Sequence, residues 1–540
     1  MRQPRSPKKS AVSSPARTTD MRYIPIALLL ILLAAPFLFE QKGEPADPDA
    51  PQLVIVTPHN EQIRWEFKRA FERWHEAKFG ERVQVMWSTP GGTSEIRKLL
   101  ISEYTAALES GLPPGGNADL LWGGGTYEFM QLAKPLEVTV GGEPRSTSVL
   151  STMKVTPAWL ESIYGDGMIA DQPLFDQGHR WFGTALSSFG IVFNRDALAN
   201  LGVPTPGTWQ DLAVPSYDGW ITMVDPGMSG SVTTAFEAIL QRRGWHDGWR
   251  ILRRLAANAR SFAGSSTKGP IEVAAGETAA AVCIDFYGRY EAQRTRDAAV
   301  KAGLAGADAL GRVGYVDPPG ETVIDPDPIG VLTGAPNPEL ARRFIDFVLS
   351  RDGQSLWQFP VASEGLGPRD FELRRLPIRR SMYRDDFTRF VDQVDPWTIA
   401  TPVAAPNRAM RAFIAPLFRA MALDQAETLQ DAWRVIIMHP GYPRDPQGLV
   451  TASSVSDPEL ARLIEEFDSF PVIPGPNGSS FDLGEVGKLA EVKAGWLRRG
   501  WASEGLWPEE ADPTEVLRRL ARRHFRSVYE AIIATGSSSG

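Results

Sequence analysis

Residues 52–126 read QLVIVTPHNEQIRWEFKRAFERWHEAKFGERVQVMWSTPGGTSEIRKLLISEYTAALESGLPPGGNADLLWGGGT. Leu53–Val56 is a short apolar run of the buried-strand type, closed by Thr57-Pro58-His59-Asn60. Ile63, Phe67, Ala70, Phe71 and Trp74 then recur at helical spacing and share one face. Val83, Val85 and Trp87 alternate as a second strand, followed by the turn-rich Ser88–Ser94. Ile96, Leu99, Leu100, Tyr104 and Leu108 mark a second helix that stops near Gly111. Leu120–Trp122 is a third strand, opening into Gly123-Gly124-Gly125-Thr126. The order β-α-β-α-β predicts a parallel sheet with helices on its faces. Such sheets bind ligands at the carboxyl ends of their strands.

A second section of similar grammar begins near Gly183. Ile191–Phe193 and Trp220–Val224 read as strands, the latter ending in Asp225–Ser231 (DPGMSGS) and feeding a helix that runs to Arg243. Ala279–Ile284 is a buried-type strand ending in Asp285-Phe286-Tyr287-Gly288-Arg289-Tyr290. Val316–Asp327, rich in proline and acid, reads as an irregular connection, and Ile329–Thr333 as a strand. Asn337-Pro338-Glu339 is a helix start, with Asn at the cap and Pro at the first helical position. Beyond Pro402 the chain turns to amphipathic helical segments, and Asp457-Pro458-Glu459 repeats the helix-start grammar.

The N-terminus has its own logic. Residues 1–22 are basic, and Tyr23–Phe39 (YIPIALLLILLAAPFLF) carries no charge. Acids dominate beyond it, so a membrane-spanning anchor, or failing that an export signal, with the N-terminus cytoplasmic and the rest extracytoplasmic, is the expectation. Residues 40–51 read as a linker.

Composition narrows the function. A net charge of −8 argues against nucleic-acid binding through bulk charge. The single cysteine, Cys283, excludes an internal disulfide and a cysteine-built zinc site. No HExxH or GxxxxGK[ST] occurs, and the six histidines lack ligand spacing, so the chain is expected not to be an enzyme. What remains is a set of small-residue loops after strands. Thr57, His59 and Asn60 form one; Ser88, Thr89, Gly91, Gly92 and Thr93 a second; Trp122, Gly123 and Gly124 a third. In the second section Asp225, Ser229, Gly230 and Ser231 repeat the chemistry, as do Ser265, Ser266 and Lys268. Ser187, Ser188, Asp285 and Tyr287 complete the candidate set. Small residues let backbone N–H groups approach a ligand closely, and helix N-termini add a favourable dipole for anions.

Carried by LVIVTPHNEQ, STPGGTSEIRKLL, ADLLWGGG, WFGTALSSFGIVFNRDAL, VDPGMSGS and IGVLTGAPNPELARRFIDFVLSRDGQ, residues 52–385 resemble the type II periplasmic-binding-protein superfamily, in particular extracellular solute-binding proteins of the ferric-iron and phosphosugar transport type. The resemblance implies an α/β fold of two lobes joined by crossing strands. Lobe 1 would comprise 52–184 and, after a return, 326–400; lobe 2 would comprise 185–325; 401–540 would be a C-terminal helical extension outside the resemblance. It also implies capture of a small solute by lobe closure, and delivery to the permease and ATPase subunits of an ABC transporter. The loops and Lys268 favour an anionic or phosphorylated organic solute, with no cofactor. Ferric iron held by His59, Tyr287 and Tyr290 is the alternative, although the tyrosines are not adjacent as that family's pattern requires. A polyamine site built on Asp225, Asp285 and Trp122, a secreted enzyme on this fold, and a membrane-tethered sensor or scaffold docking a partner through Leu517, Leu520, Phe525, Val528 and Tyr529 are the remaining readings.

Overall fold

The computed structural model describes residues 50–306, 310–363, 365–403, 406–446, 448–498, 500–501 and 511–538. The expected anchor at 23–39 lies outside the described residues; among those described, no helix is long and apolar enough to cross a membrane. The chain divides into residues 1–50 and 51–540, and the account below concerns the second unit.

The opening stretch forms β1 (Gln52–Val56), α1 (Glu61–Phe79), β2 (Gln84–Ser88), α2 (Thr93–Ser110), β3 (Leu120–Trp122) and α3 (Thr126–Leu132). β1 pairs in parallel with both β2 and β3. Helix α1 starts where Asn60 Oδ1 accepts from the Ile63 amide at 3.0 Å and lays Ile63, Phe67 and Phe71 into the core. The chain then crosses between sheets: β4 (Phe182–Ser187) belongs to the first sheet and β5 (Phe189–Asn194) to a second, with only Ser188 between them.

The second sheet adds β6 (Ile221–Val224), α4 (Gly230–Arg243), α5 (Trp245–Ala257), β7 (Ala259–Ala263), α6 (Lys268–Ala275), β8 (Ala280–Ile284), α7 (Asp285–Lys301) and β9 (Val313–Val316). Its strand order is β7-β6-β8-β5-β9; β6 runs parallel to β7 and β8, and β5 antiparallel to β8 and β9. The chain returns through β10 (Asp325–Val331), continues into α8 (Pro338–Leu349), and adds β11 (Leu376–Pro377) at the edge, giving a first sheet ordered β11-β4-β10-β3-β1-β2.

Two sequence expectations need correcting here. Asp325–Pro328 is strand, not irregular connection. β10 pairs with β4 and β3, and a register shift between Asp327 and Pro328 absorbs the amide that proline lacks. At α8, Asn337 occupies the cap position but makes no cap bond; its Nδ2 instead donates to the Gln52 carbonyl at 3.0 Å. By contrast Asp457 caps its helix as expected, accepting from the amides of Glu459 and Leu460.

The C-terminal residues are part of the same core. Helices α9 (Arg411–Met421), α10 (Ala426–Met438), α11 (Pro458–Phe467) and α12 (Pro513–Ser538) build a layer against α4 and α5. Phe418 meets Phe236 at 5.0 Å between rings, and Trp433 Nε1 donates to Asn258 Oδ1 at 2.9 Å. Arg254, fully buried, makes a two-pronged pair with Asp468 at 2.6 and 3.0 Å. The stripe offered as a partner-docking face is covered within the chain: Leu517, Phe525 and Tyr529 are buried, and Tyr529 donates to the Met421 carbonyl.

Candidate ligand-binding cleft

A cavity of about 360 Å³ opens between the two sheets, a size suited to a small organic molecule. The first half contributes the starts of α1, α2 and α3 through His59, Asn60, Gly91, Gly92, Thr93, Gly124 and Gly125. The second contributes Ser229, Gly230 and Ser231 at the start of α4, Ser265, Ser266 and Thr267 before α6, and Phe286 and Tyr287 on α7. Ser187 and Phe189 line it from the crossing, Asp325 and Asp327 from the return strand. Strands that end at one place and helices that begin there therefore aim several N-terminal dipoles at one space.

At its floor, Asp327 accepts from His59 Nε2 and Arg375 Nη1, both at 2.8 Å, and from the Gly124 amide at 2.9 Å. Arg375 also donates to Ser187 Oγ at 3.1 Å and lies 4.8 Å from the Phe286 ring, which belongs to the second half. Burial works against ionising Asp327, but the Arg375 charge and then His59 outweigh it and hold the carboxyl below its usual range. Burial, outweighing the Asp327 charge, lowers His59. The imidazole is therefore neutral at pH 7. It donates from Nε2 to the carboxylate, which can only accept, and Nδ1 is left as a buried acceptor with no partner among the described residues.

Further up, Asp325 accepts from the Thr126 amide at 3.3 Å, and burial pushes its carboxyl up to about 6. Glu128 pairs with Arg97. Glu95 accepts from the Gly92 amide at 2.9 Å at the α2 start. Arg411, from the C-terminal α9, closes one wall; its Nη1 donates to Glu237 Oε2 at 2.7 Å and Thr234 Oγ1 at 3.1 Å, and its guanidinium lies 4.2 Å from the Tyr127 ring. The halves touch at the rim. A Cβ placed on Gly230 would fall 2.3 Å from Thr93 Oγ1, and one on Gly92 would fall 2.9 Å from the Met228 carbonyl. This is a closed cleft.

Several residues singled out from the sequence do not line it. Trp122 is wholly buried, packed among His59, Phe67 and Phe344, because a central strand turns alternate side chains into the core. Thr57 is spent accepting the His59 amide, and the Ser88 carbonyl accepts the Thr57 amide. Thr89 is exposed and outside the cavity lining. Gly123, at φ 97°, gives its space to the His59 ring. Ser188 donates to Asp317 at 2.6 Å at the crossing. Asp225 is held by Arg419 through three contacts of 2.7–3.0 Å. Lys268, exposed, pairs with Glu272. With Trp122, Asp225 and Asp285 all turned elsewhere, the polyamine constellation is not assembled. Nor is the ferric one: Tyr290 is exposed outside the cavity, so of the two tyrosines offered only Tyr287 lines it.

Asp285 sits buried at the crossing with both carboxyl oxygens unpartnered among the described residues. Arg289 stands 3.9 Å away and instead donates to Asp317 at 2.7 Å. Burial, opposed by Arg289, raises Asp285 to about 6. A carboxyl raised on folding makes the folded state lose ground as pH climbs from the unfolded value of about 3.9 to the folded one. Asp285→Asn is accordingly expected to gain on the parent by about 2–3 kcal/mol between pH 4 and pH 8, read from urea midpoints at the two pH values. An unchanged difference would mean the group is already paired.

The sequence reading missed Asp325, Asp327, Glu95, Glu128, Arg375 and Arg411. Asp325 and Asp327 were findable, since two residues apart on one strand they share a face. Arg375 and Arg411 carry no local signal.

Residues 151–365, a stretch that takes in the crossing and the whole second sheet, match the family model for the bacterial extracellular solute-binding protein. It is 29% identical over 184 residues to the phosphoglycerate transport regulatory protein PgtC of Salmonella typhimurium, covering 33% of this chain and 42% of that protein. It is 26% identical over 186 residues to an uncharacterized protein of Haemophilus influenzae, covering 34% and 49%. The chain thus spans less than half the length of these curated relatives. Among solved structures it is similar to the periplasmic binding protein AfuA of Actinobacillus pleuropneumoniae (17% identity, 71% of this chain and 97% of that one, TM-score 0.47). Iron-bound HitA of Pseudomonas aeruginosa is another such neighbour (17%, 66% and 94%, TM-score 0.45).

Proposed function

We propose that the chain captures a small hydroxylated organic anion, phosphorylated in the simplest case, between two lobes that close on it, and presents it to an ABC-type permease. The observation that carries this reading is the cavity itself. Helix starts and hydroxyls from both sheets face one space, while the rims touch through Gly230 and Thr93. A solute contacting both lobes favours the closed form by its differential affinity, and no covalent step is needed. The acceptors matter as much as the donors. Glu95 and Asp325 have no ion-pair partner among the described residues, so a guest offering hydroxyls as well as an anionic group uses both kinds of wall. The name of the Salmonella relative points to a phosphorylated organic acid of this class.

In this reading residues 52–184 and 326–400 form lobe 1 and 185–325 lobe 2. The molecule works outside the cytoplasmic membrane, tethered through 23–39. A second reading, a tethered sensor that reports the solute instead of delivering it, draws on the word regulatory in that relative's name. Calorimetric titration of the full chain with 3-phosphoglycerate, glucose 6-phosphate and ferric citrate tests the first point. Heat with a phosphorylated compound supports the proposal. Silence with both, together with a tyrosinate-to-iron absorption band, would replace it with the ferric reading.

A further inference from the structure

We propose that Arg411 grips the anionic group of the solute, so that the C-terminal layer is a component of the binding site. This deepens, and rests on, the organic-anion reading above. Among the described residues, two guanidinium groups line the cavity. Arg375 is committed to Asp327 and Ser187 at the floor. Arg411 is nine-tenths buried, yet only Nη1 is engaged, by Glu237 and Thr234. Its Nε and Nη2 make no hydrogen bond among the described residues. Those two nitrogens form the side edge of the guanidinium, a fork whose spacing matches two oxygens of a carboxylate or phosphate.

The group is also held still and held in the right place. Glu237 and Thr234, both on α4 of the second half, fix one end, and the Tyr127 ring on α3 of the first half supports the flat face at 4.2 Å. Arg411 therefore spans the seam that forms when the halves meet. A fork fixed in advance loses little freedom when it binds. The residue lies beyond the stretch matched to the solute-binding family, which ends at residue 365, so the layer added after that point has a reason to be packed so firmly against α4 and α5. Removing residues 402–540 would then remove part of the site along with part of the core.

The test titrates the full chain and its variants with 3-phosphoglycerate and glucose 6-phosphate. Arg411→Gln should weaken whichever compound binds by about tenfold to a hundredfold, the range for losing charge-assisted hydrogen bonds. Arg411→Lys keeps a cation opposite Glu237 and so keeps the fold, but a point charge cannot make the fork; it should weaken binding by about fivefold or more. If Arg411→Gln fails to fold because Glu237 is stranded, Arg411→Gln with Glu237→Gln removes that charge and is read in its place. Glu237→Gln alone loosens one end of Arg411 but leaves its fork, and should weaken binding by less than the double variant does. A parent that binds while Arg411→Lys and either Gln variant bind equally well would overturn the role of Arg411 and leave the organic-anion reading standing. A parent silent with both compounds would sink that reading and this inference together.

Discussion

Arg375→Met is expected to destabilise the protein by about 3–5 kcal/mol and to abolish solute binding. The reason is electrostatic. Asp327 is buried at the floor of the cleft and owes its ionised state chiefly to Arg375, whose Nη1 sits 2.8 Å away. Take the guanidinium out and a buried carboxylate is left with only the neutral His59 and the Gly124 amide as donors. The same change frees Ser187 and uncovers Phe286, so the floor loses its tie to the second half as well.

The pH dependence identifies the cause. In the parent, a carboxyl lowered on folding contributes stability that is present above the unfolded value of about 3.9 and is lost as pH falls through the folded value. In the variant the same carboxyl is raised, because burial is no longer opposed by the Arg375 charge, its largest counterweight. The gap between parent and variant should therefore be widest near neutrality and shrink toward pH 4. Urea unfolding over that range measures it. Adding Asp327→Asn to Arg375→Met should recover most of the loss, since the stranded charge, more than the missing pair, makes the single change costly. A gap that is flat with pH would contradict this account.

Gly230→Leu is expected to weaken solute binding by about tenfold to a hundredfold while leaving the fold intact. Gly230 is the first residue of α4, and its backbone is outside the left-handed region, so any residue can take its conformation. What a side chain cannot have there is room. Its Cβ would fall 2.3 Å from Thr93 Oγ1 across the seam. Overpacking of this kind costs about 1–3 kcal/mol. Here the halves can escape it by opening, so the cost falls on closure and is read as affinity, at about tenfold per 1.4 kcal/mol. Thr93→Ala in the same chain should give back a large part of the loss. Equal binding by parent and Gly230→Leu would mean the rim contact plays no part in holding the guest.

The fold was legible because its information is local and repeated. Leu53–Val56, the Ile63–Trp74 stripe and Leu120–Trp122 announce their elements by period alone, and alternation of strand and helix admits few arrangements. The failure of pattern at Asp325–Pro328 has a physical origin: two prolines argue against a strand unless a register shift accommodates them, and the shift is invisible in the sequence. The site was legible only where it consists of turns. Gly91–Thr93, Ser229–Ser231, Ser265 and Ser266 line the cavity because loops after parallel strands gather at one edge. Its charges were not legible, because they arrive from afar. Arg375 reaches Asp327 across 48 positions and His59 across 316, and Arg411 comes from a helix whose amphipathic pattern says only that it packs. Lys268 was the natural candidate for the positive charge from its loop, yet it pairs with Glu272 four residues on.

The claim that two halves shut around a small organic anion is tested most directly by a distance. Cys283, the chain's only cysteine, is buried, so spin labels can be placed on cysteines substituted for exposed Ser102 on α2 and Ala298 on α7. Adding 3-phosphoglycerate or glucose 6-phosphate should collapse a broad distribution of separations into a single short one, and Gly230→Leu should keep it broad. Separations that ignore every such compound, in a chain that nonetheless binds one of them, would contradict closure as the means of capture.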